Sequence, residues 1–426
     1  MSTLASIAEA IVDCEHKTAP EGDGYALSVG TRAMKEGRIV LDACKRVSED
    51  TYVTWTRRMR PIEGDLILAR EAPVGQVVRV PDDPRVCLGQ RTVMIRPDRS
   101  AVHPRFLHYW LLGPDAQHAM NSVAAGATVP HLNVADIRNL DVSRMPRDLG
   151  QQAMAAEVLG SIDDLIENNR RRVAVLEEIA RAIYREWFVH FRYPGHDDVP
   201  LVDSPLGPIP DGWEALTVGD VLELRYGKAL KKDDRRGGPV AVVSSAGVVG
   251  WHDEPLVAGP TIVVGRKGNV GSVTWVDGDA WPIDTAYFVD SELPLRYVAE
   301  QLRGTEFLNT HAAVPGLSRD QAYSRPFLRP TVNVMQAFDV AAGTLASEAR
   351  AITGASERLS DLRNLLLPKL VAGHVSPTWI DDMRRVGAQV VDNPAILDRP
   401  YVFVAFDGTV TEHPAYGWVI AQGDNQ

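Results

Sequence analysis

The chain has 426 residues, which at about 150 residues per domain predicts two or three domains rather than one. Apolar residues make up 45% of it and charged residues 24%, an ordinary globular composition that excludes wholesale disorder. The formal net charge of −11 argues against a nucleic-acid binder for the chain taken whole, because phosphate binding needs clustered lysine and arginine, but locally basic segments leave nucleic acid open.

The sequence indicates neither a membrane span nor secretion. No stretch approaches the roughly 18 apolar residues that a span needs, and the N-terminus lacks the basic and apolar regions of a secretory signal. Cys14, Cys44 and Cys87 are odd in number and far apart, so they predict neither a disulfide framework nor a metal site. We expect a cytoplasmic protein in a reducing compartment.

The first 147 residues carry short β-like runs, such as the one at 65–68, that are broken by glycine and proline. A short helix is predicted at 104–112, followed by a glycine-bearing loop. Between Thr54 and Arg105, ten arginines stand against six acidic residues. Residues 1–147 are therefore predicted to form a β-rich domain that is locally basic.

A long helix is predicted over residues 149–189, in a segment that we delimit as 148–192. Its apolar residues recur every seven positions in two interleaved rows, with one polar residue, Asn169, inside the pattern. At 1.5 Å per residue, such a helix is about 60 Å long. The residues predicted to pack against a partner helix are Leu159, Ile166, Val173, Leu176 and Ile183.

The second half of the chain follows a similar order. A segment rich in Pro, Gly and Asp at 193–213 is typical of a linker, and a second β-rich domain is predicted over 214–334, with a strand at 261–264 and a short helix at 295–302. A second heptad helix is predicted at 336–367 within the segment 335–372, and Pro368 is expected to end it. Its predicted packing residues are Leu345, Ile352, Leu359 and Leu366.

Each heptad stripe can pack either on its own domain or on the other long helix. Two such helices separated by a whole domain favour mutual packing, because each needs a long apolar partner. The tail at 373–426 has no counterpart in the first half, and its Phe406-Asp407-Gly408-Thr409 run suggests a hairpin of unknown role.

Short matches in a common order predict a tandem repeat of about 190 residues. The pattern Arg70-x-x-x-Val-Gly-x-Val recurs from Arg266, and Val-Pro-x-Leu at 129–132 recurs at 314–317. The first helix pattern, Leu-x-x-Ile-x-x-x-Ile at 176–183, resembles the second at 359–366. The predicted fold class is therefore α+β, with two β-rich halves that are each followed by a long helix.

No pattern of a catalytic or metal site is found in the sequence. The Gly265–Ser272 run lacks the lysine of a phosphate-binding loop and is predicted to be a turn between strands. His103, His108 and His118 lack ligand spacing and are expected at the surface or a helix edge. Asp163 and Asp164 are adjacent, so on a helix their carboxylates diverge. We predict a non-catalytic chain with no metal.

Basic residues cluster in both β-rich halves. They belong either to solvated loops or to a surface that reads DNA. Arginine suits bidentate contact with guanine and with phosphate, and lysine suits phosphate. Equivalent placement of Arg70 and Arg266 in the two repeats favours the reading surface. The candidate DNA-binding residues are Arg57, Arg58, Arg70, Arg91, Lys228, Lys231, Lys232, Arg235, Arg266 and Lys267.

Five sequence runs, within residues 1–374, resemble the specificity subunit of type I restriction–modification systems. They are REAPVG at 70–75, CLGQRT at 87–92, IYREWFV at 183–189, LGPIPDGW at 206–213 and LLLPKL at 365–370. The resemblance implies two target-recognition domains that each read half of a split DNA site, and two helices, packed as an antiparallel coiled coil, that set the spacing. Base-contacting residues vary between members of the family, so the ten basic residues rest on charge and position alone.

The resemblance also implies partners and cofactors outside this chain. Two methyltransferase subunits would dock and N6-methylate adenine with S-adenosylmethionine, and two restriction (motor–nuclease) subunits, which need ATP and Mg, can join them for phage defence. The expected partners are thus double-stranded DNA and these subunits, and no membrane. The alternative is a protein-interaction scaffold with a heptad helix pair and no sequence-specific DNA binding.

Overall fold

The computed structural model describes residues 2–124, 130–307 and 316–373, together with two short strands at 410–411 and 419–420. The chain divides into two compact units. The first comprises the described residues of Met1–Asn168 and Ala355–Gln426, and the second comprises those of Asn169–Gly354. The division falls inside both long helices, so each unit contains a piece of each.

The first unit combines short strands with helices. Single turns of 3-10 helix lie at Leu4–Ile7, Thr31–Ala33 and Leu41–Ala43. The strands are β1 (Ala8–Asp13), β2 (Ala26–Val29), β3 (Met34–Lys35), β4 (Arg38–Ile39), β5 (Lys45–Val47), β6 (Leu66–Ala69), β7 (Val77–Arg79), β8 (Val86–Leu88) and β9 (Thr92–Pro97). The helices are α1 (Glu49–Trp55), α2 (Pro104–Leu112), α3 (Pro114–Ala124), α4 (Val134–Arg138) and α5 (Leu149–Tyr184), which continues as a π-helical turn at Arg185–Val189.

Two sheets form the β-rich part of the first unit. One is antiparallel in the order β1-β9-β6-β7, and the other has the order β5-β2-β8, with β2 antiparallel to β5 and parallel to β8. All four residues of β6 are buried, which fits a central strand covered on both faces. Side chains of α2, such as Phe106 and Leu107, and of α5, such as Leu159, join Leu66 and Leu68 in one apolar core.

The second unit begins in the C-terminal part of α5. Short 3-10 turns lie at His196–Asp198 and Lys232–Asp234. The strands are β10 (Leu201–Val202), β11 (Ile209–Pro210), β12 (Glu214–Thr217), β13 (Glu223–Tyr226), β14 (Val240–Ser244), β15 (Gly247–His252), β16 (Thr261–Gly265), β17 (Val273–Val276), β18 (Ala280–Pro282), β19 (Ala286–Asp290) and β20 (Pro326–Arg329). The helices are α6 (Val218–Val221), α7 (Leu295–Arg303), α8 (Arg319–Tyr323) and α9 (Val332–Val371), which ends in the first unit.

The sheets of the second unit repeat those of the first. The order β13-β19-β16-β17 matches β1-β9-β6-β7, and β15-β14-β18 matches β5-β2-β8, including the one parallel pair. The amide of Leu132 donates to the Arg70 carbonyl, and the amide of Leu317 donates to the Arg266 carbonyl. The predicted tandem repeat is therefore confirmed by the strand order of the sheets and by equivalent backbone hydrogen bonds in the two units.

The two long helices pair in opposite directions within each unit. In the first unit, the Gln151 side chain donates to the Gly373 carbonyl, and Asp163 pairs with Arg363. As residue numbers rise along α5, those of the partners along α9 therefore fall. In the second unit, Arg172 lies 3.6 Å from Glu348 and the Phe188 ring packs on that of Phe338. The α+β architecture with two antiparallel long helices is thus as predicted.

Two details differ from the sequence-based expectations. Helix α9 does not end at Pro368 but continues to Val371, because Leu370 and Val371 are buried in the first unit's core and proline in the last turn removes only one helical hydrogen bond. The segment 193–213 is not a free linker, because Tyr193 and Trp213, at its two ends, are buried in the second unit's core.

Strands β21 (Val410–Thr411) and β22 (Val419–Ile420) pair antiparallel, and the predicted hairpin run Phe406–Thr409 lies outside the described residues. Across the described part of the chain, every helix is too short or too polar to cross a membrane.

Candidate nucleic-acid interface

Arg70 sits at a corner of the first unit, directly after β6 and beside the end of β1. Its Nη1 lies 3.0 Å from Oδ1 and 3.2 Å from Oδ2 of Asp13, and its Nε donates to the Leu132 carbonyl at 2.8 Å. The side chain is only 15% exposed. Arg70 therefore ties two strands to the segment that precedes α4, and Asp13 neutralises its charge.

The other predicted arginines of the first unit are also paired with acids. Arg57 lies 2.8 Å from Glu15, and Arg58 lies 3.6 Å from the same carboxylate while donating to two backbone carbonyls. Arg91 lies 3.4 Å from Glu71. Three carboxylates thus face the four predicted arginines of this unit, which leaves little net positive charge at that surface.

Asp13, Cys14 and His16 form a compact group beside Arg70. One potential ligand atom from each lies within 4.8 Å of the others. The Asp13 carboxylate, however, already accepts from Arg70, and His16 Nε2 lies 2.8 Å from it. A metal ion at this position would have to compete with a guanidinium for the same oxygen atoms, so this group is a poor metal site.

The six predicted residues of the second unit have different surroundings. Lys231 and Lys232 are exposed, and Asp233 and Asp234 follow them directly. Arg235 donates to the Val249 carbonyl at 2.6 Å. Among the described residues, no carboxylate forms an ion pair with any of the six, which are Lys228, Lys231, Lys232, Arg235, Arg266 and Lys267.

Arg266 belongs to an aromatic corner that follows β16. Its guanidinium carbon lies 5.0 Å from the centre of the Tyr226 ring and 5.8 Å from that of Tyr287, and its Nη1 donates to the Asp284 carbonyl at 3.2 Å. Arg319, the first residue of α8, lies 4.5 Å from the same Tyr226 ring. The Tyr226 side chain is 49% exposed. Two cations therefore surround one exposed aromatic ring.

Sequence reasoning missed Tyr226 and Arg319. Charge counting finds runs of Lys and Arg, but Tyr226 is neutral and Arg319 is an isolated arginine next to Asp320. The internal repeat matches Arg266 to Arg70 but does not reveal the partners of either arginine, because only the fold brings those partners close.

The structure also shows what surrounds the residues considered for catalysis. Asp163 accepts from Tyr109 and Arg363, whereas Asp164 accepts from Arg105, so the two carboxylates diverge as predicted. His108 was expected at the surface or a helix edge, and this was wrong: it lies on the inner face of α2, only 5% exposed. Burial, together with neighbouring arginines, lowers the pKa of His108 to about 3.

The nine residues predicted to pack the helix pair are all buried or half-buried. Leu159, Ile166 and Ile352 are buried, and the half-buried ones are Val173, Leu176, Ile183, Leu345, Leu359 and Leu366. Other apolar side chains on the same helices are exposed, among them Val175, Ile179 and Val340 in the second unit and Leu365 in the first.

No protein-family model matches the chain. It is similar to the type I restriction enzyme MjaIX specificity subunit of Methanocaldococcus jannaschii, with 26% identity over 183 residues, 43% of this chain and 41% of that protein. It is also similar to the HindI specificity subunit of Haemophilus influenzae, with 24% identity over 133 residues, 30% of this chain and 28% of that protein. The alignments thus span less than half of these relatives.

The fold agrees with that of a solved specificity subunit. The crystal structure of the S subunit of a type I restriction–modification system from M. genitalium superposes with a TM-score of 0.51 at 15% identity, covering 87% of this chain and 95% of that one. Together with the relatives above, this confirms the resemblance seen in the sequence runs: the chain is similar to the specificity subunits of type I restriction enzymes.

Proposed function

We propose that this chain is the DNA-specificity subunit of a type I restriction–modification system, and that it reads a bipartite DNA target through its two β-rich repeats. The observation that carries the proposal is the duplicated plan, in which equivalent pairs of sheets are each followed by a long helix. A chain with two similar but non-identical readers fits a split, asymmetric site. The similarity to named specificity subunits supports the same conclusion.

The long helices provide the spacing between the two half-sites. Helix α9 has 40 residues, which is about 60 Å at 1.5 Å per residue and corresponds to roughly 17 base pairs of DNA. The length of the unread spacer would then depend on helix length.

DNA contact is assigned to the basic residues of the two repeats. The six in the second unit, which lack an acidic partner among the described residues, are the strongest candidates, and the four arginines of the first unit are weaker ones because their charges are paired. Phosphate contacts would position the duplex, and arginine contacts to base edges would read it.

Catalysis would belong to partner subunits. The exposed apolar side chains of α5 and α9 offer docking surface for two adenine-N6 methyltransferase subunits, and two motor–nuclease subunits can join them. S-adenosylmethionine, ATP and Mg would be bound by those partners and not by this chain.

The proposal is tested by expressing the chain with its neighbouring methyltransferase gene in a host free of adenine methylation. Long-read sequencing should show a split methylation motif that disappears when this chain is omitted. Methylation without the chain, or a motif that does not change on its removal, would contradict the specificity role.

A second candidate is a scaffold that binds proteins through its helices and does not read DNA. The paired arginines of the first unit and the exposed apolar residues of the helices favour it. Filter binding of the assembled complex to a duplex distinguishes the two, because a DNA reader must lose affinity steeply as salt rises and a scaffold must not bind at all.

A further inference from the structure

The aromatic corner of the second unit and the Arg70 corner of the first occupy equivalent places in the repeat. Asp13 ends β1 opposite Val93, and Tyr226 ends β13 opposite Tyr287. Arg70 follows β6 in the way that Arg266 follows β16. The backbone carbonyl of each arginine accepts a hydrogen bond from the amide of the matching leucine, Leu132 or Leu317. Asp13 and Tyr226 are therefore the same position in two copies of one fold.

A third position of the corner also differs. Val134 and Arg319 are each the first residue of a short helix, α4 and α8, that begins with a side-chain capping box at Asn133 or Ser318. The first unit therefore has a carboxylate and an apolar residue at the two positions where the second has an aromatic ring and an arginine. In the first unit the shared arginine is neutralised, and in the second it is joined by another cation.

The arginines of the second corner differ from Arg70 in having no ion-paired carboxylate in the described part of the chain. Among the described residues, neither Arg266 nor Arg319 forms an ion pair, and Asp284 offers Arg266 only its backbone carbonyl. Residues 308–315, which precede Arg319 in the chain, include neither Asp nor Glu. Two guanidinium groups around an exposed ring therefore have no carboxylate partner among the described residues, which leaves N–H donors for the acceptor atoms of a ligand.

From this difference we infer that Tyr226, Arg266 and Arg319 form a base-reading site for the half-site recognised by the second repeat, whereas the equivalent corner of the first repeat only stabilises the fold. The inference rests on the proposed function and specifies it. A guanidinium stacked on an aromatic ring keeps its planar fork fixed, and a fixed fork suits bidentate donation to guanine O6 and N7. Arg70, with its Nη1 and Nε already engaged, cannot present that fork.

The test uses the complex with the methyltransferase subunits and duplexes that carry the mapped motif, or the motif with its second half scrambled. Arg319→Ala and Tyr226→Asp should each weaken binding to the intact motif by about tenfold or more. Binding to the scrambled duplex should stay within twofold of wild type. Tyr226→Asp is expected to act by installing the carboxylate that the first repeat has at this position, which pairs with Arg266.

Tyr226→Phe keeps the ring that the guanidinium groups stack on, so as the conservative variant it should restore most of the binding that Tyr226→Asp loses. Arg70→Ala should lower the melting temperature, and it should change binding to the intact motif and to a motif with its first half scrambled by the same factor, because Arg70 does not read bases in this inference. Melting curves and gel filtration of each complex separate a lost contact from a lost fold.

Normal binding by both Arg319→Ala and Tyr226→Asp would overturn the inference, as would equal loss on the intact and scrambled duplexes, which is the result of phosphate contact alone. These failures differ from a failure of the proposed function, in which the wild-type complex itself would not prefer the intact motif to the scrambled one.

Discussion

His108 shows how strongly a side chain's surroundings decide its charge. The imidazole is buried on α2, and burial, reinforced by Arg79, Arg105 and Arg363, lowers its pKa to about 3. An unfolded histidine has a pKa of about 6.5. Between pH 6.5 and 3, the histidine is protonated in the unfolded chain but stays neutral in the folded chain. The contribution of His108 to stability is therefore present above pH 6.5 and is lost as the pH falls towards 3.

We therefore predict that lowering the pH from 7.5 to 5.5 destabilises the protein by about 1.4 kcal/mol through this one group. His108→Gln, which cannot take up the proton, should show a correspondingly smaller loss between the two pH values, whatever its own stability. Urea unfolding at both pH values measures the difference. The exposed His118→Gln variant is the control, and an identical pH effect in wild type and His108→Gln would contradict the assignment.

The internal repeat made one residue-level prediction possible. It matched Arg266 to Arg70, and the structure places both at equivalent corners. Sequence could not show that Asp13 neutralises one of them or that Tyr226 stacks under the other, because both partners come from a strand more than 30 residues away and only sheet pairing brings them together. Which of the two arginines contacts DNA remains a prediction.

The long helices were predictable because a heptad pattern is a local property of the sequence. Both were found within a few residues of their observed ends, and the error at Pro368 has a tertiary cause, since Leu370 and Val371 are held in the core of the first unit. The strand order could not be predicted in the same way. The parallel pairing of β2 with β8, for example, joins segments that lie far apart in sequence.

The helices are expected to respond differently on their buried and exposed faces. Leu159 is fully buried in the first unit's core, so Leu159→Ala should cost about 3 kcal/mol of stability through the lost apolar contacts and the cavity that remains. Val175 is 57% exposed, so Val175→Ala should change stability by less than about 0.5 kcal/mol. Chemical denaturation of the two variants measures both values.

A charged substitution at the exposed position Val175 separates folding from docking. If α5 carries partner contacts, Val175→Glu should weaken assembly with the methyltransferase subunit while the melting temperature of the isolated chain stays near that of wild type. Unchanged assembly would remove this part of α5 from the proposed docking surface.

At the scale of the whole molecule, the two repeats share a topology but differ in how their charge is balanced. The turn glycines Gly75 and Gly271 both have positive φ, and the amide of each donates to the carbonyl of the last residue of the preceding strand, β6 or β16. Because glycine suits this conformation, the Val-Gly motif recurs in the sequence. The acids that accompany the first unit's arginines leave no such motif, since Glu15 and Glu71 have different sequence separations from their partners. The net charge of −11 therefore does not reveal that charge is balanced differently in the two repeats.

This difference predicts that the second repeat dominates the salt dependence of DNA binding. Lys228 and Lys267 are exposed and lack an acidic partner among the described residues, so replacing both with alanine should remove up to two phosphate contacts. The slope of log K against log salt concentration should then become shallower by about 1.8, at roughly 0.9 per contact.

Arg91→Ala is the matched control in the first repeat. Glu71 lies 3.4 Å from Arg91, so the variant removes a cation whose charge is already balanced, and the slope should change by less than about 0.5. Titrations of the methyltransferase complex between low and moderate salt measure all three slopes. If Arg91→Ala flattened the slope as much as the lysine pair did, the duplex would engage both repeats equally, and the pairing of charges within the first repeat would not govern how it meets DNA.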